Sequence, residues 1–257
     1  MIITSRSSQK WSKKYEPHMR GKQVWAIGGG QVAEEGKLVA SHLHRELIVV
    51  PANLSCDAFF TDSVAVRMPQ WNKPDYQKMV APKKVIYDED ILRSTPLRYN
   101  VSGWADILSS ITARLTLSTL QMNQYKKELK EMDKLIDGCC YPNDEKKRRL
   151  LFNSLQKEVD ICNGMGSSII EEGLEHEVAY RLEKKGPGFL HGELVYIGIW
   201  YVLDIYGGSQ IKLIESLYKL LSLDMYMKSW SEGIGRDYIK DVVRNVFIDW
   251  EKKRCVK

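Results

Sequence analysis

A buried strand, three consecutive glycines and an amphipathic helix follow one another near the start of this chain. No other part of the sequence restricts the fold as tightly. Val24-Trp25-Ala26-Ile27 reads as a short apolar strand and Gly28-Gly29-Gly30 as a turn. Val32 to His44 reads as a helix, with Val32, Gly36, Val39, Ala40 and Leu43 near one stripe. Leu47-Ile48-Val49-Val50 is a second buried strand, closed by Pro51. Strand, turn, helix and strand in this order make the unit from which parallel sheets are built. Glycines at such a turn let the backbone approach a phosphate, and the helix amino end adds N–H groups and a positive dipole end. A tight turn that packs strand on helix explains the same glycines. The segment is not the G-x-G-x-x-G fingerprint, since Ala33 and Glu34 follow. Ser55-Cys56-Asp57 comes just after the next strand, where loops at strand carboxyl ends line a ligand crevice.

The pattern changes near residue 91. Residues 63–67 and 84–87 are expected to add strands, with Pro69, Pro74 and Pro82 punctuating the loop between them. Beyond Ile91 the chain is helical in pattern. Ile107, Ile111, Leu115, Met122, Leu129, Met132 and Ile136 fall roughly on one face of a long segment, broken by Gly138 to Asn143. Further helices are expected over 145–162, 169–184, 192–206, 210–221 and 237–252. The expected architecture is an α/β amino-terminal part with a partial parallel sheet (residues 1–91), followed by an all-helical domain (residues 92–257).

With 257 residues the chain can bury a real core. No stretch approaches the length of a membrane span, and Met1 to Lys14 lacks the apolar middle of a secretory signal. Cys56, Cys139, Cys140, Cys162 and Cys255 form no C-x-x-C pair and no framework. Free thiols in a reducing compartment, by default the cytoplasm, are expected. The net charge is +5, with basic clusters at Arg6 to Lys22 and Lys146 to Arg149. Neither interleaves with aromatics as nucleic-acid surfaces do, so solvated faces are expected and nucleic acid is not. A basic protein also suits a small anionic substrate.

Only two of the five histidines, His176 and His191, lie in the helical part. His176 ends Glu172-Gly173-Leu174-Glu175-His176; His191 lies where a glycine-rich loop enters a helix. Two imidazoles and a carboxylate with open positions make a site for Zn²⁺ or Fe²⁺. The carboxylate candidate is Asp106, in Ser102-Gly103-Trp104-Ala105-Asp106. Three separate elements carry these residues, so spacing alone does not establish the triad.

Several segments resemble one group of enzymes. Gly28-Gly29-Gly30 with Glu34 and Lys37 is similar to the GGGxxxDxxK segment of the glycerol dehydrogenase family, Glu34 standing for Asp. Pro51 to Ala58 looks like PTxxSxDA, and Thr95-Pro96-Leu97-Arg98 like APxR. Ser102 to Asp106 matches SGxxD; Glu172 to His176 resembles the GSEH of glycerol-1-phosphate dehydrogenase. Leu190-His191-Gly192-Glu193 matches LHGE, which that group shares with dehydroquinate synthase. The motifs occur in order over about residues 24–206. The resemblance implies a divalent metal, zinc or iron, on Asp106, His176 and His191. It implies NAD(P) pyrophosphate at Gly28, Gly29, Gly30 and Ser55, with Asp57 and Lys37 as catalytic candidates. The activity implied is oxidation or reduction of a small polyol or polyol phosphate. The alternatives are a dinucleotide-free or non-catalytic partner subunit and a sugar phosphate cyclase. Departures are Cys56 and Tyr180, each where members have histidine, and Ala52 for threonine. Fewer residues than usual precede the glycines. Val24 to Ile27 is therefore expected to be the first strand, and NAD(P) binding is expected to be weak unless a second copy or a longer homologous chain completes the sheet.

Overall fold

The computed structural model describes residues 2–3, 21–66, 74–185, 188–207 and 210–255. A parallel sheet is ordered β1 (Ile2–Ile3), β2 (Gln23–Gly28), β3 (Glu46–Pro51) and β6 (Lys84–Val85). Val24 is level with Leu47 and Ala26 with Val49. Both central strands are apolar because α1 (Gly30–His42) covers the sheet. Val24, Ala26, Val32, Ala33, Val39, Ala40, Leu47 and Val49 form their common core with Phe59.

One expectation about this part needs correction. Ile2–Ile3 pairs in parallel with Trp25 and Ala26, so a strand precedes Val24 in the sheet. Two residues are too few to show a pattern in sequence. The expected strand at residues 63–67 is β4 (Ser63–Val66), and it does not join the parallel sheet; residue 67 is outside the described residues. It pairs antiparallel with β5 (Asp75–Lys78). All four residues of β5 are exposed, so no apolar alternation marked it. Most of the basic cluster from Arg6 to Lys22 lies outside the described residues, as does the Gly186-Pro187 pair before His191.

The second part contains only helices among the described residues: α2 (Glu89–Ser94), α3 (Leu97–Ser102), α4 (Trp104–Ala113), α5 (Thr119–Gln124), α6 (Lys126–Asp137), α7 (Glu145–Met165), α8 (Leu174–Glu183), α9 (His191–Val202), α10 (Ile211–Leu220), α11 (Asp224–Ile234) and α12 (Arg236–Cys255). The expected long helix after Asp106 is three helices. Leu117 is extended, and Ser118 opens α5 with a capping box to Gln121. That local bonding outcompetes one continuous stripe. Helix α8 starts later than expected, at Leu174, and α11 was not anticipated. Its core positions, Met227, Trp230 and Ile234, are spaced by three and four residues in a short stretch.

Helices α4, α8 and α9 build the main core around Trp104, Leu108, Val178, Val195 and Tyr196. Leu54, from the loop after β3, is part of that core. The other basic cluster is tied down: Arg148 pairs with Glu89, Lys147 with Asp144, and Arg149 with Glu145, lying over the Tyr87 ring.

Glycine at 103 is required by a close approach. A Cβ there would lie 1.8 Å from the Leu54 carbonyl oxygen. Gly164, near the end of α7, has nothing within 4 Å of its Cβ position. Gly103→Ala is expected to lower unfolding stability by about 2–3 kcal/mol or more. Gly164→Ala is expected to raise it by roughly 0.5–1 kcal/mol. Urea unfolding of both variants measures the difference.

Candidate metal centre

The fold brings together the three residues singled out as metal ligands. Asp106 and His176 lie in the first turns of α4 and α8, and His191 opens α9. One donor atom from each lies within 4.8 Å of the others. Asp106 and His176 are buried and His191 is half-buried. The imidazole centroids are 5.4 Å apart, and His176 Nε2 is 3.8 Å from Asp106 Oδ1.

Each imidazole is oriented by its other nitrogen. Glu175 Oε1 is 2.9 Å from His176 Nδ1, and Glu183 Oε1 is 2.9 Å from His191 Nδ1. A carboxylate behind each ring fixes the tautomer and turns Nε2 toward the shared point, as it does behind histidine ligands of metals. Glu175 is itself bound by the Thr112 hydroxyl at 2.6 Å and the Gly173 N–H at 2.6 Å. Burial by itself would lower the His176 pKa. Its contacts with Asp106 and Glu175 outweigh burial and hold it well above the usual imidazole value. The Asp57 N–H donates to Asp106 Oδ2 at 3.3 Å. Sequence reasoning named neither Glu175 nor Glu183. The only signal was Glu175 beside His176 in the GSEH-like segment, and nothing in the sequence pointed to Glu183.

Backbone contacts set the spacing. A Cβ on Gly192 would lie 2.3 Å from the Ser102 carbonyl oxygen, and one on Gly198 would lie 2.5 Å from that of Glu175. Helix α9 therefore touches the end of α3 and the start of α8 directly. Arg98 adds a clamp, donating to Glu193 from Nε at 2.5 Å and from Nη2 at 2.7 Å. Glu193 also accepts the Leu190 N–H at 2.9 Å, satisfying a free donor at the start of α9.

The glycine turn and the loop after β3 lie at the carboxyl ends of β2 and β3. Leu54 N–H donates to Asn100 Oδ1 at 3.0 Å, and Thr95 Oγ1 donates to the Ala52 carbonyl. The loop is thus fixed to α2 and α3. A Cβ on Gly29 would lie 2.9 Å from Asn53 Nδ2, and one on Gly30 would lie 2.6 Å from Cys56 Sγ. Asn53 and Cys56 therefore occupy the space those glycines leave. Ser55 N–H donates to Asn53 Oδ1 at 3.3 Å, within this same packing. Burial pushes the Cys56 thiol up, so the sulfur is an uncharged packing group.

Asp57 and Lys37 lie close enough to interact, but they differ in surroundings. Burial, then the charge of Asp106, pushes the Asp57 pKa up to about 7 against the pull of Lys37. Lys37 is fully buried, and burial lowers its pKa. Its ammonium donates to Thr61 Oγ1 at 2.7 Å and to the Ser63 carbonyl at 2.8 Å. It holds the start of β4 rather than facing open space.

Tyr76, Tyr180 and Glu172 also meet beside the centre. The two hydroxyls are 2.6 Å apart, and Glu172 Oε1 accepts from Tyr180 at 2.7 Å and from Tyr76 at 3.1 Å. Ser168 donates to Glu172 Oε2 at 2.9 Å. The Tyr180 ring stacks on His191 at 5.6 Å. Burial would raise the Glu172 pKa, but the His176 charge and the Tyr180, Ser168 and Tyr76 hydroxyls hold it below the usual range. Tyr76 was not foreseen.

The donor set fits a divalent metal. One carboxylate and two imidazoles, each backed by a carboxylate, leave coordination positions open for a ligand. The first turn of α1 can still offer backbone N–H groups to a phosphate.

The fold is that of the iron-containing alcohol dehydrogenases. Residues 4–96 match the family model described as iron-containing alcohol dehydrogenase. A probable glycerol dehydrogenase from Sinorhizobium meliloti superposes with a TM-score of 0.63 at 14% identity, covering 93% of this chain and 79% of that one. Within that class the chain is similar in sequence to glycerol-1-phosphate dehydrogenases [NAD(P)+]. It is 26% identical to the enzyme of Picrophilus torridus over 92% of this chain and 70% of the relative. It spans between 56% and 71% of the length of the curated relatives it matches. A 2-deoxy-scyllo-inosose synthase superposes with a TM-score of 0.60 at 16% identity, over 90% of this chain and 64% of that one. The expected fold and the expected resemblance to this group of enzymes are borne out.

Removing the carboxylate behind each imidazole tests the centre. Glu175→Gln and Glu183→Gln are each expected to weaken zinc binding by about 10–100-fold. Asp106→Ala and His191→Ala are expected to abolish it. Chelator competition followed by metal analysis reads both effects. Zinc affinity unchanged in Asp106→Ala would remove the carboxylate from the ligand set.

Proposed function

We propose that this protein is a metal-dependent, NAD(P)-linked oxidoreductase acting on a hydroxyl or carbonyl of a small polyol or polyol phosphate. The observation that carries the reading is the convergence of Asp106, His176 and His191, with Glu175 and Glu183 behind the imidazoles. When bound there, a divalent cation would acidify a substrate hydroxyl or polarise a carbonyl, and a nicotinamide would exchange the hydride. Asp106 and the two histidines hold that cation, zinc or iron. The phosphate of a dinucleotide is received at Gly28 to Gly30 and Ser55, by the N–H groups that begin α1. Asp57 stands beside Asp106, able to bind a substrate hydroxyl and take its proton. Lys37 acts as a positioning residue, through Asp57 and the start of β4. The free thiols among the described residues suit a reducing cytoplasm. Among the described residues, no helix is long and apolar enough to cross a membrane.

A second reading, a dinucleotide-free relative acting as a partner subunit, has one observation in its favour. Asn53 and Cys56 crowd the turn where a pyrophosphate would approach. Fluorescence titration of the metal-loaded protein with NADH and NADPH separates the two readings. Because Ile2–Ile3 adds a strand beside β2, micromolar binding of either is expected in place of the weak binding expected from sequence. Millimolar binding or none would favour the dinucleotide-free reading.

Asp57 divides activity from folding. Asp57→Asn keeps the backbone N–H that Asp106 accepts. The variant is expected to melt within a few degrees of the parent while kcat/KM falls at least about tenfold, the scale of a lost proton acceptor. Normal turnover with a large drop in Tm would make Asp57 a structural residue.

A further inference from the structure

The β4–β5 hairpin belongs to the α/β part and is tied to α1 at several points. The Lys37 ammonium donates to Thr61 Oγ1 and to the Ser63 carbonyl. Ala65 N–H donates to Glu34 Oε1 at 3.0 Å, and Val80 N–H donates to Ser41 Oγ at 2.7 Å. Tyr76, on β5, is 48% exposed, yet its hydroxyl lies against the helical part. An exposed tyrosine can satisfy its hydroxyl with water. Avoiding an unpaired donor therefore does not require this placement.

The Tyr76 hydroxyl is 2.6 Å from that of Tyr180 and 3.1 Å from Glu172 Oε1, which also accepts from Tyr180 at 2.7 Å. Ser168 holds the other oxygen of Glu172. Tyr180 follows His176 by one turn of α8, so both side chains lie on one face of the helix. The Tyr180 ring centroid is 6.0 Å from that of His176 and 5.6 Å from that of His191, and the imidazoles are 5.4 Å apart. Three rings at nearly equal spacing thus form one side of the centre. The Tyr180 ring lies within 19° of the His191 plane. His191 is the least buried of the three candidate ligands, and its bond to Glu183 fixes one atom of the ring, Nδ1. A single hydrogen bond leaves an imidazole free to turn about that contact. A stacked ring removes this freedom, and a ring locked at its own far end removes it more firmly.

We propose that Tyr180 and Tyr76 are positioning residues for the metal ligand His191. Tyr180 sets the plane of the imidazole, and Tyr76 locks Tyr180 from the other part of the chain. The proposal rests on the metal centre of the oxidoreductase reading and adds to it an outer support that crosses from β5 to α8. A hairpin that used these hydroxyls only as an anchor would make the same bonds and leave metal binding indifferent to them.

The test compares Tyr76→Phe, Tyr180→Phe and Tyr180→Leu with Ser41→Ala, which loosens the hairpin at Val80 without touching Tyr76. For each full-length variant, zinc affinity is measured by chelator competition and metal-free stability by urea unfolding. The visible spectrum of the cobalt-loaded protein reports the geometry of the ligands without turnover. Tyr180→Leu is expected to weaken zinc binding about tenfold and to change the cobalt bands. Each Tyr→Phe variant, which loses one oxygen atom, is expected to weaken zinc binding about threefold with a smaller change in the same bands. Ser41→Ala is expected to lose stability while keeping the parent's cobalt spectrum and zinc affinity. Should Tyr180→Leu not fold, the two Tyr→Phe variants decide the question. Parent-like cobalt spectra and zinc affinity in the tyrosine variants overturn the proposal and leave the metal centre standing. The same spectral change in Ser41→Ala as in Tyr76→Phe also overturns it. Failure of the parent protein to bind zinc or cobalt overturns the metal centre itself.

Discussion

Direct backbone contact between helices is the constraint on which the centre depends. Helix α9 touches the end of α3 at Gly192 and the start of α8 at Gly198, while the start of α4 touches the loop after β3 at Gly103. Side chains at these points would clash with the facing backbone and push the helices apart, moving the donor atoms off their common point. The ligand positions follow from this. Asp106 and His191 lie three residues and one residue from such a contact, so little flexible chain separates the contact from the donor. Arg98 and Glu193 then fix the rotation of α9 about it.

Polar groups at the centre are arranged in layers of decreasing neutralisation. The two imidazoles are each matched by a carboxylate, Glu175 or Glu183. Outside them, among the described residues, Glu172 is hydrogen-bonded only by hydroxyls, and Glu158 by nothing. Protein interiors tolerate such groups where something else completes them.

The sequence carried the fold well where pattern and packing coincide. Strands β2 and β3 are apolar on both faces because α1 and the neighbouring loops cover them, so continuous hydrophobicity was enough. It named the candidate ligands through motif resemblance, since Asp106, His176 and His191 are 70 and 15 residues apart in turn. What was not legible was contact between distant segments. Glu183 precedes His191 by eight residues across a chain reversal, and no local rule pairs them. Tyr76 lies on a strand whose residues are all exposed in part, yet its hydroxyl reaches Glu172 in the helical part. The short β1 and the Ser118 cap that splits the long helical segment failed for a related reason: a few hydrogen bonds decided them, and periodicity is blind to those.

The bond from Asp57 to Asp106 comes from the main chain. Every residue except proline carries that N–H, so the orientation of the metal carboxylate is insured against most changes at position 57. The side chain there is consequently free to drift under selection for new ligands without endangering the metal. On the proposed reading, the group that holds Asp106 in place and the group that would meet a substrate share a residue but not an atom.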